Sequence, residues 1–285
     1  MNGLKKIFCL FSGQFRSSIV SARVWLGYAM GIILALKTAY NYSGYAYERV
    51  IQIFEPYIEN FVSIGNMTLM LIGYILIISD APFINRRSTL ALYRTSRGQW
   101  FWGMTLYVAV HGILYYTVCG LASCIFVAGK GYVDNLWSMP MWNFARVPSM
   151  EAVERWQLTP VEEIMMDQYT PAEAVFHTIL MIFMYSFILA LLLLIFNTVW
   201  NQAVGAVLAA AVHIIGYAMV YSGFSGIMSQ WSLLGNSTFS SLADSGTPLL
   251  RSYLLLLLVI CVLLFSGSPL IKRADFNLRT GEKDE

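Results

Sequence analysis

SDAPFINRRSTLALYRTSRGQW, residues 79–100, is the stretch that decides the fold of this chain. It separates two long apolar runs and carries Arg86, Arg87, Arg94 and Arg97 against a single acid, Asp80. Basic charge flanking membrane spans marks their cytoplasmic side. Pro82 ends the helix before it, because its ring fixes φ and disfavours a helical residue ahead of it. Ser88 can cap a short helix through Leu90, Leu92 and Tyr93. Ser96 and Gln99 have capping-box spacing and start the next span. The expected order is helix, break, short surface helix, break, helix. A solvated basic loop would show the same charge asymmetry, and this stretch by itself leaves both open.

The surrounding composition excludes a soluble globule. Of 285 residues, 58% are hydrophobic and 12% charged, with a mean hydropathy of +0.61, whereas soluble domains are about 25% charged. The chain reads as a polytopic membrane protein. Cys9, Cys119, Cys124 and Cys261 are scattered, with no CxxC and no Cys/His cluster, so neither a disulfide framework nor a metal site is expected. Lys5 and Lys6 precede only a short, interrupted apolar stretch, and no secretory signal is expected.

No catalytic chemistry is legible. Gly129-Lys130 lacks the upstream glycine and the following Ser/Thr of a phosphate-cradling loop, so the chain is expected to bind no ATP and to hold no cofactor. None of the histidines belongs to HExxH, and no Gx[SC]xG marks a hydrolase. Four arginines among apolar residues beside a membrane suit lipid headgroups or a protein partner better than nucleic acid.

Outward from the organising loop, the expected fold is an all-α membrane protein with six transmembrane helices. Residues 1–20 place Leu4, Ile7, Phe8, Phe11 and Phe15 at helical spacing with Lys5, Lys6 and Arg16 off that stripe, as in an amphipathic interfacial helix. A disordered basic tail is the alternative. Residues 21–270 form the transmembrane domain. Its spans are read at 22–40, 61–78, 100–127, 172–196, 203–221 and from Thr247-Pro248 to about Phe265, the first near the ~20 residues a bilayer requires. Gly27 and Gly31 in the first span, and Gly205 and Ala209 in the fifth, have small-xxx-small spacing for close helix packing. Lys37 lies near the outer end of the first span, where it either snorkels to the interface or lines a pathway. His111, His177 and His213 fall in or near spans, as interhelical hydrogen-bond partners or pathway groups.

Two polar segments interrupt this pattern. Residues 129–171 carry six acids and three bases, and the Thr159-Pro160-Val161-Glu162 and Thr170-Pro171-Ala172-Glu173 runs each read as a helix start. This external loop is expected to hold one or two short helices. Residues 222–247 interleave Phe224, Ile227, Met228, Trp231, Leu233, Leu234 and Phe239 with Ser and Gly, which suits an external re-entrant segment. Residues 271–285 form a cytoplasmic tail. Asn41 and Asn236 begin glycosylation-type triplets, which arise often by chance.

Orientation follows from the 18 lysines and arginines. Twelve fall on one side: Lys5, Lys6, Arg16 and Arg23 before the first span, the four arginines of the loop, and Lys272, Arg273, Arg279 and Lys283 in the tail. Five fall on the other: Arg49, Lys130, Arg146, Arg155 and Arg251. Both termini are therefore expected in the cytoplasm, with the chain multi-pass in the plasma membrane.

The S-D-x-P-F at residues 79–83 and the R-x-x-R-x-x-W at residues 94–100 flank a short helix after the second span. In this the chain resembles the ABC-2 type permeases of ABC transporters, and span number and loop order extend the resemblance over nearly its whole length. The resemblance implies that residues 79–100 form a coupling helix docking on a separate ATP-binding subunit. Asp80, Pro82, Phe83, Arg86, Arg87, Arg94 and Arg97 would set that contact, with ATP and Mg held by the partner. It also implies a second permease subunit, as a homo- or heterodimer, and export as the direction of transport. It agrees with the interfacial and re-entrant elements. The rival class is a membrane protein without transport, a lipid-modifying enzyme or a sensor using the acidic external loop.

Overall fold

A computed structural model describes residues 3–82, 95–221, 230–239, 242 and 247–273. The chain is an all-α membrane protein: among these residues five helices are long and apolar enough to cross a membrane. In chain order the elements are α1 (Gly3–Ile19), α2 (Ala22–Ala46), β1 (Ile51–Gln52), α3 (Glu55–Val62), α4 (Ile64–Ile78), α5 (Arg97–Val127), β2 (Gly131–Tyr132), α6 (Met139–Arg146), α7 (Glu163–Gln168), α8 (Pro171–Val199), α9 (Gln202–Tyr221) and α10 (Leu249–Arg273). The five are α2, α5, α8, α9 and α10.

The second expected span differs. Phe61 belongs to α3, and Ser63 adopts an extended conformation (φ −77°, ψ 115°) that turns the chain by 95° before α4 begins. The reason is local: Pro56 favours a helix start at Glu55, and Ser63 supplies the non-helical entry typical of an N-cap for α4. So α3 lies across the bundle while α4 runs along it. The capping boxes read at Ser96/Gln99 and Thr170/Glu173 both form, with the Ser96 hydroxyl accepting from Gln99 N–H at 3.3 Å and the Thr170 N–H donating to Glu173 Oε2 at 2.9 Å. Thr159 starts no helix; its N–H turns instead to Glu59 Oε1 at 2.6 Å. The buried carboxyl of Glu59 has taken the donor that Glu162 would have accepted in a capping box.

At the centre, α2 runs antiparallel to α4. Arg23 pairs with Asp80 at one end, and Gly27 abuts Ile77 further along. A Cβ on Gly27 would come within 2.6 Å of Ile77 Cγ1 and 2.7 Å of the Gly73 carbonyl. Gly31 and Gly73 both face the phenol of Tyr115 on α5, whose hydroxyl donates to the Met70 carbonyl at 2.7 Å. Glycine permits backbones to approach closely where a membrane bundle has little hydrophobic force to bring helices together. Gly205 meets Asn197 of α8, and Ala209 is 3% exposed on the same face of α9. Further along α9, Gly216 abuts Leu234; Leu234 to Phe239 are all buried, and Ser252 donates to Asn236 Oδ1 at 2.7 Å. Asn236 is 0% exposed, so its triplet offers no acceptor to a sugar.

Beyond the ends of α2 and α5 the chain builds a cap. β1 and β2 pair in parallel, Ile51 with Gly131 and Gln52 with Tyr132. Trp137, Met141, Phe144, Leu158, Val161, Met165 and Met166 pack into a core with Ile51 and Ile58.

Replacing Gly31 with Leu should lower stability by about 1–3 kcal/mol, from overpacking against Tyr115. Gly13→Ala, inside α1 with open space around it, should raise stability by about 0.5–1 kcal/mol. Thermal unfolding in detergent reads both.

Candidate functional site

The loop of four arginines is the candidate site, and its two roots are fixed to the bundle. At the entry root, Asp80 forms an ion pair with Arg23 at the start of α2. The next carbonyl, of the buried Ala81, accepts from Asn197 Nδ2 of α8 at 3.1 Å. Asn197 is itself 5% exposed and backed by Gly205 of α9. At the exit root, the Ser96/Gln99 box opens α5, and Arg97 Nη1 donates to the Lys272 carbonyl near the end of α10 at 3.0 Å. Two of the expected coupling residues, Asp80 and Arg97, thus tie the loop ends to α2 and α10, and Pro82 follows the carbonyl held by α8. Phe83, Arg86, Arg87 and Arg94, with the short helix expected around Leu90, lie outside the described residues.

Asp80 and Arg97 were legible from the charge pattern. Arg23 was counted only as an inner charge, and Asn197 was not singled out. The available signal for Asn197 was a lone amide closing a long apolar run, a group that must find a partner where water is scarce.

The three histidines occupy separate junctions rather than one path. His111 of α5 lies between Ser18 at the end of α1 (Nε2 to Oγ, 3.1 Å) and Tyr28 of α2 (Nδ1 to Oη, 3.0 Å). Ser18 already donates to the Phe15 carbonyl at 2.7 Å, so Nε2–H donates to Ser18 and Tyr28 donates to Nδ1. His213 of α9 repeats the arrangement. Thr68 of α4 donates to the Ile64 carbonyl and receives Nε2–H at 3.0 Å, and Tyr185 of α8 donates to Nδ1 at 2.9 Å. His177 of α8 meets the Tyr253 hydroxyl of α10 at 2.6 Å and stacks on Phe239. Each ring therefore joins neighbouring helices through satisfied polar contacts. Lys37 stands apart on α2, donating to Gln157 Oε1 at 2.9 Å.

The acids at the foot of the cap, Glu55 and Glu59, read in the sequence only as members of a polar stretch, residues 41–60, with no site assigned to them. Glu55 is fully buried and accepts four hydrogen bonds: Tyr42 Oη at 2.8 Å, Gln52 N–H at 3.2 Å, Ser138 N–H at 2.6 Å and Ser138 Oγ at 2.6 Å. Burial raises its pKa above the usual carboxylate value, and the two Ser138 bonds oppose that rise. Glu59, one turn on and 1% exposed, has the Thr159 N–H on Oε1, while Oε2 is buried without a partner among the described residues. On α3, which lies across the spanning helices rather than among them, burial pushes its pKa up to about 8.

No family model matches this chain, and neither a curated protein nor a solved structure shows significant similarity to it.

Glu55→Ala should cost about 3–5 kcal/mol, because it leaves buried donors unpaired around Ser138. For Glu59 the sign follows from the raised value. Between the ordinary 4.5 and about 8, the folded chain keeps a proton that the unfolded chain gives up. Stability therefore falls as pH rises through that window and levels off above it. Glu59→Gln should abolish the fall, read as melting temperature in detergent from pH 5 to 9.

Proposed function

We propose that this chain is the membrane-spanning subunit of an ABC transporter of the ABC-2 type, an exporter driven by a separate ATP-binding subunit. One observation carries the reading: a loop with four arginines has both roots fastened to spanning helices, through Arg23–Asp80, Asn197–Ala81 and Arg97–Lys272. A loop held in this way passes a push on its tip to α2, α8 and α10 together, whereas a loosely tethered loop absorbs it. In this reading residues 61–78, chiefly α4, complete six spans, α1 is the interfacial helix, and residues 222–247 form the re-entrant element. Both termini lie in the cytoplasm of a plasma-membrane protein.

The mechanism then follows from the anchoring. ATP and Mg bind on the partner, two ATP-binding subunits close, and the short helix between Pro82 and Arg94 is displaced. Arg86, Arg87, Arg94 and Arg97 position that helix against the partner and the headgroups, and Phe83 anchors it. A second permease subunit supplies the other half of the pathway.

Exchanging Arg86 and Arg87 for Glu should abolish ATP-driven export by at least tenfold while the melting temperature of the spans stays put. Wild-type protein extracted in mild detergent should retain a soluble ATPase, and the double variant should lose it. Export at the wild-type rate in that variant, or wild-type protein that carries no ATPase, would refute the proposal. The second result would favour a sensor or lipid-modifying protein built on the acidic cap.

A further inference from the structure

Residues 155–157 of the cap lie against the outward face of α2. On α2, Ile33, Lys37 and Tyr40 share one helical stripe and are exposed, Ile33 by 65% and Tyr40 by 62%. Gly44 continues that stripe, and the Trp156 ring rests on it where any Cβ would collide. About two turns below, Gln157 Oε1 accepts from Lys37 Nζ at 2.9 Å. Gln157 has φ +51°, in the left-handed region that a residue with a side chain enters at a cost and keeps only when its surroundings hold it. The Arg155 guanidinium stands 5.1 Å over the Trp156 ring. Lys37 on the Gln157 side chain and Arg155 over the Trp156 ring therefore bring two cations to adjacent residues of the cap beside a membrane-crossing helix.

What covers this face follows from the solvent around it. Ile33 on a membrane-crossing helix meets hydrocarbon, and the Lys37 ammonium must reach the headgroup layer to avoid it. Tyr40 and Trp156 have the amphipathic rings that settle at that layer. We propose that Lys37, Arg155 and Trp156 form a binding site for the phosphate of a membrane phospholipid, in the leaflet on the side of the cap. The bond to Gln157 uses one of three ammonium protons, leaving two for phosphate oxygens. Arg155 also pairs with Glu151 at 2.9 Å, but both side chains are more than 60% exposed, and such a pair holds weakly. Its planar fork keeps donors free for a second oxygen. The acyl chains lie along Ile33, which is why a lipid rather than free phosphate is the occupant. Binding would set the cap at a fixed height on the bilayer, independently of what the loop of arginines does.

The test is native mass spectrometry of the full chain in detergent, titrated with phosphatidylglycerol and with an uncharged diacyl glycolipid of the same chain length. Phosphatidylglycerol should bind well above the glycolipid, and glycerol phosphate should not compete. Lys37→Gln and Arg155→Gln should each weaken phosphatidylglycerol by about fivefold, and Lys37→Arg should retain it. Glu151→Gln, which releases Arg155, should tighten binding, a change that misfolding cannot imitate. Equal retention of the two lipids, undiminished binding in the double Gln variant, or no gain in Glu151→Gln would overturn the site.

Discussion

The phenol of Tyr115 occupies the gap that Gly31 of α2 and Gly73 of α4 leave open, and its hydroxyl closes on the Met70 carbonyl. The rest of the bundle depends on that fit. Lipid tails are as apolar as leucine, so helices are not driven together by escape from water. They stay together through close backbone contact and polar groups satisfied between them. Here a single side chain supplies both to three helices at once. Tyr28, Tyr74 and Tyr116 surround it with ring centroids 5.2–6.0 Å away, so the contact is continuous with a wider aromatic interior.

The same constraint governs the other polar groups. His111 and His213 are each fixed between a tyrosine that donates and a Ser or Thr that accepts. Asn197 supplies the partner for a carbonyl where α4 has ended. Glu55 gathers four donors from three segments of chain. In each case a group that costs free energy to bury is retained at a junction between elements, where it specifies which element packs there.

Much of the architecture was legible in sequence because membrane spans and their caps are local features. Five of the expected spans are helices of spanning length, and both the Ser96/Gln99 and Thr170/Glu173 boxes form where the spacing placed them. The Gly27/Gly31 pair lies at a close contact, as small-residue spacing implied. What stayed hidden depends on partners far away in sequence. The turn at Ser63 redirects Phe61 into α3, and Glu59 draws Thr159 out of a helix start 100 residues away. Glu48, Glu55 and Glu59 look alike in the linear chain, yet two of them are interior groups. Of the candidate site, Asp80 and Arg97 stand in the loop that the charge pattern marked, whereas their partners Arg23 and the Lys272 carbonyl, and the clasp by Asn197, rest on tertiary contact.

The parallel pairing of Ile51 with Gly131 is only two residues long, but it laces together the chain leaving α2 and the chain leaving α5. Those two helices consequently share a drawstring at one membrane face. They can tilt as a unit there but cannot fan apart. Any widening of the bundle on that face must open along another seam, and α9, which leans mainly on α8, is the stave least bound by the hoop.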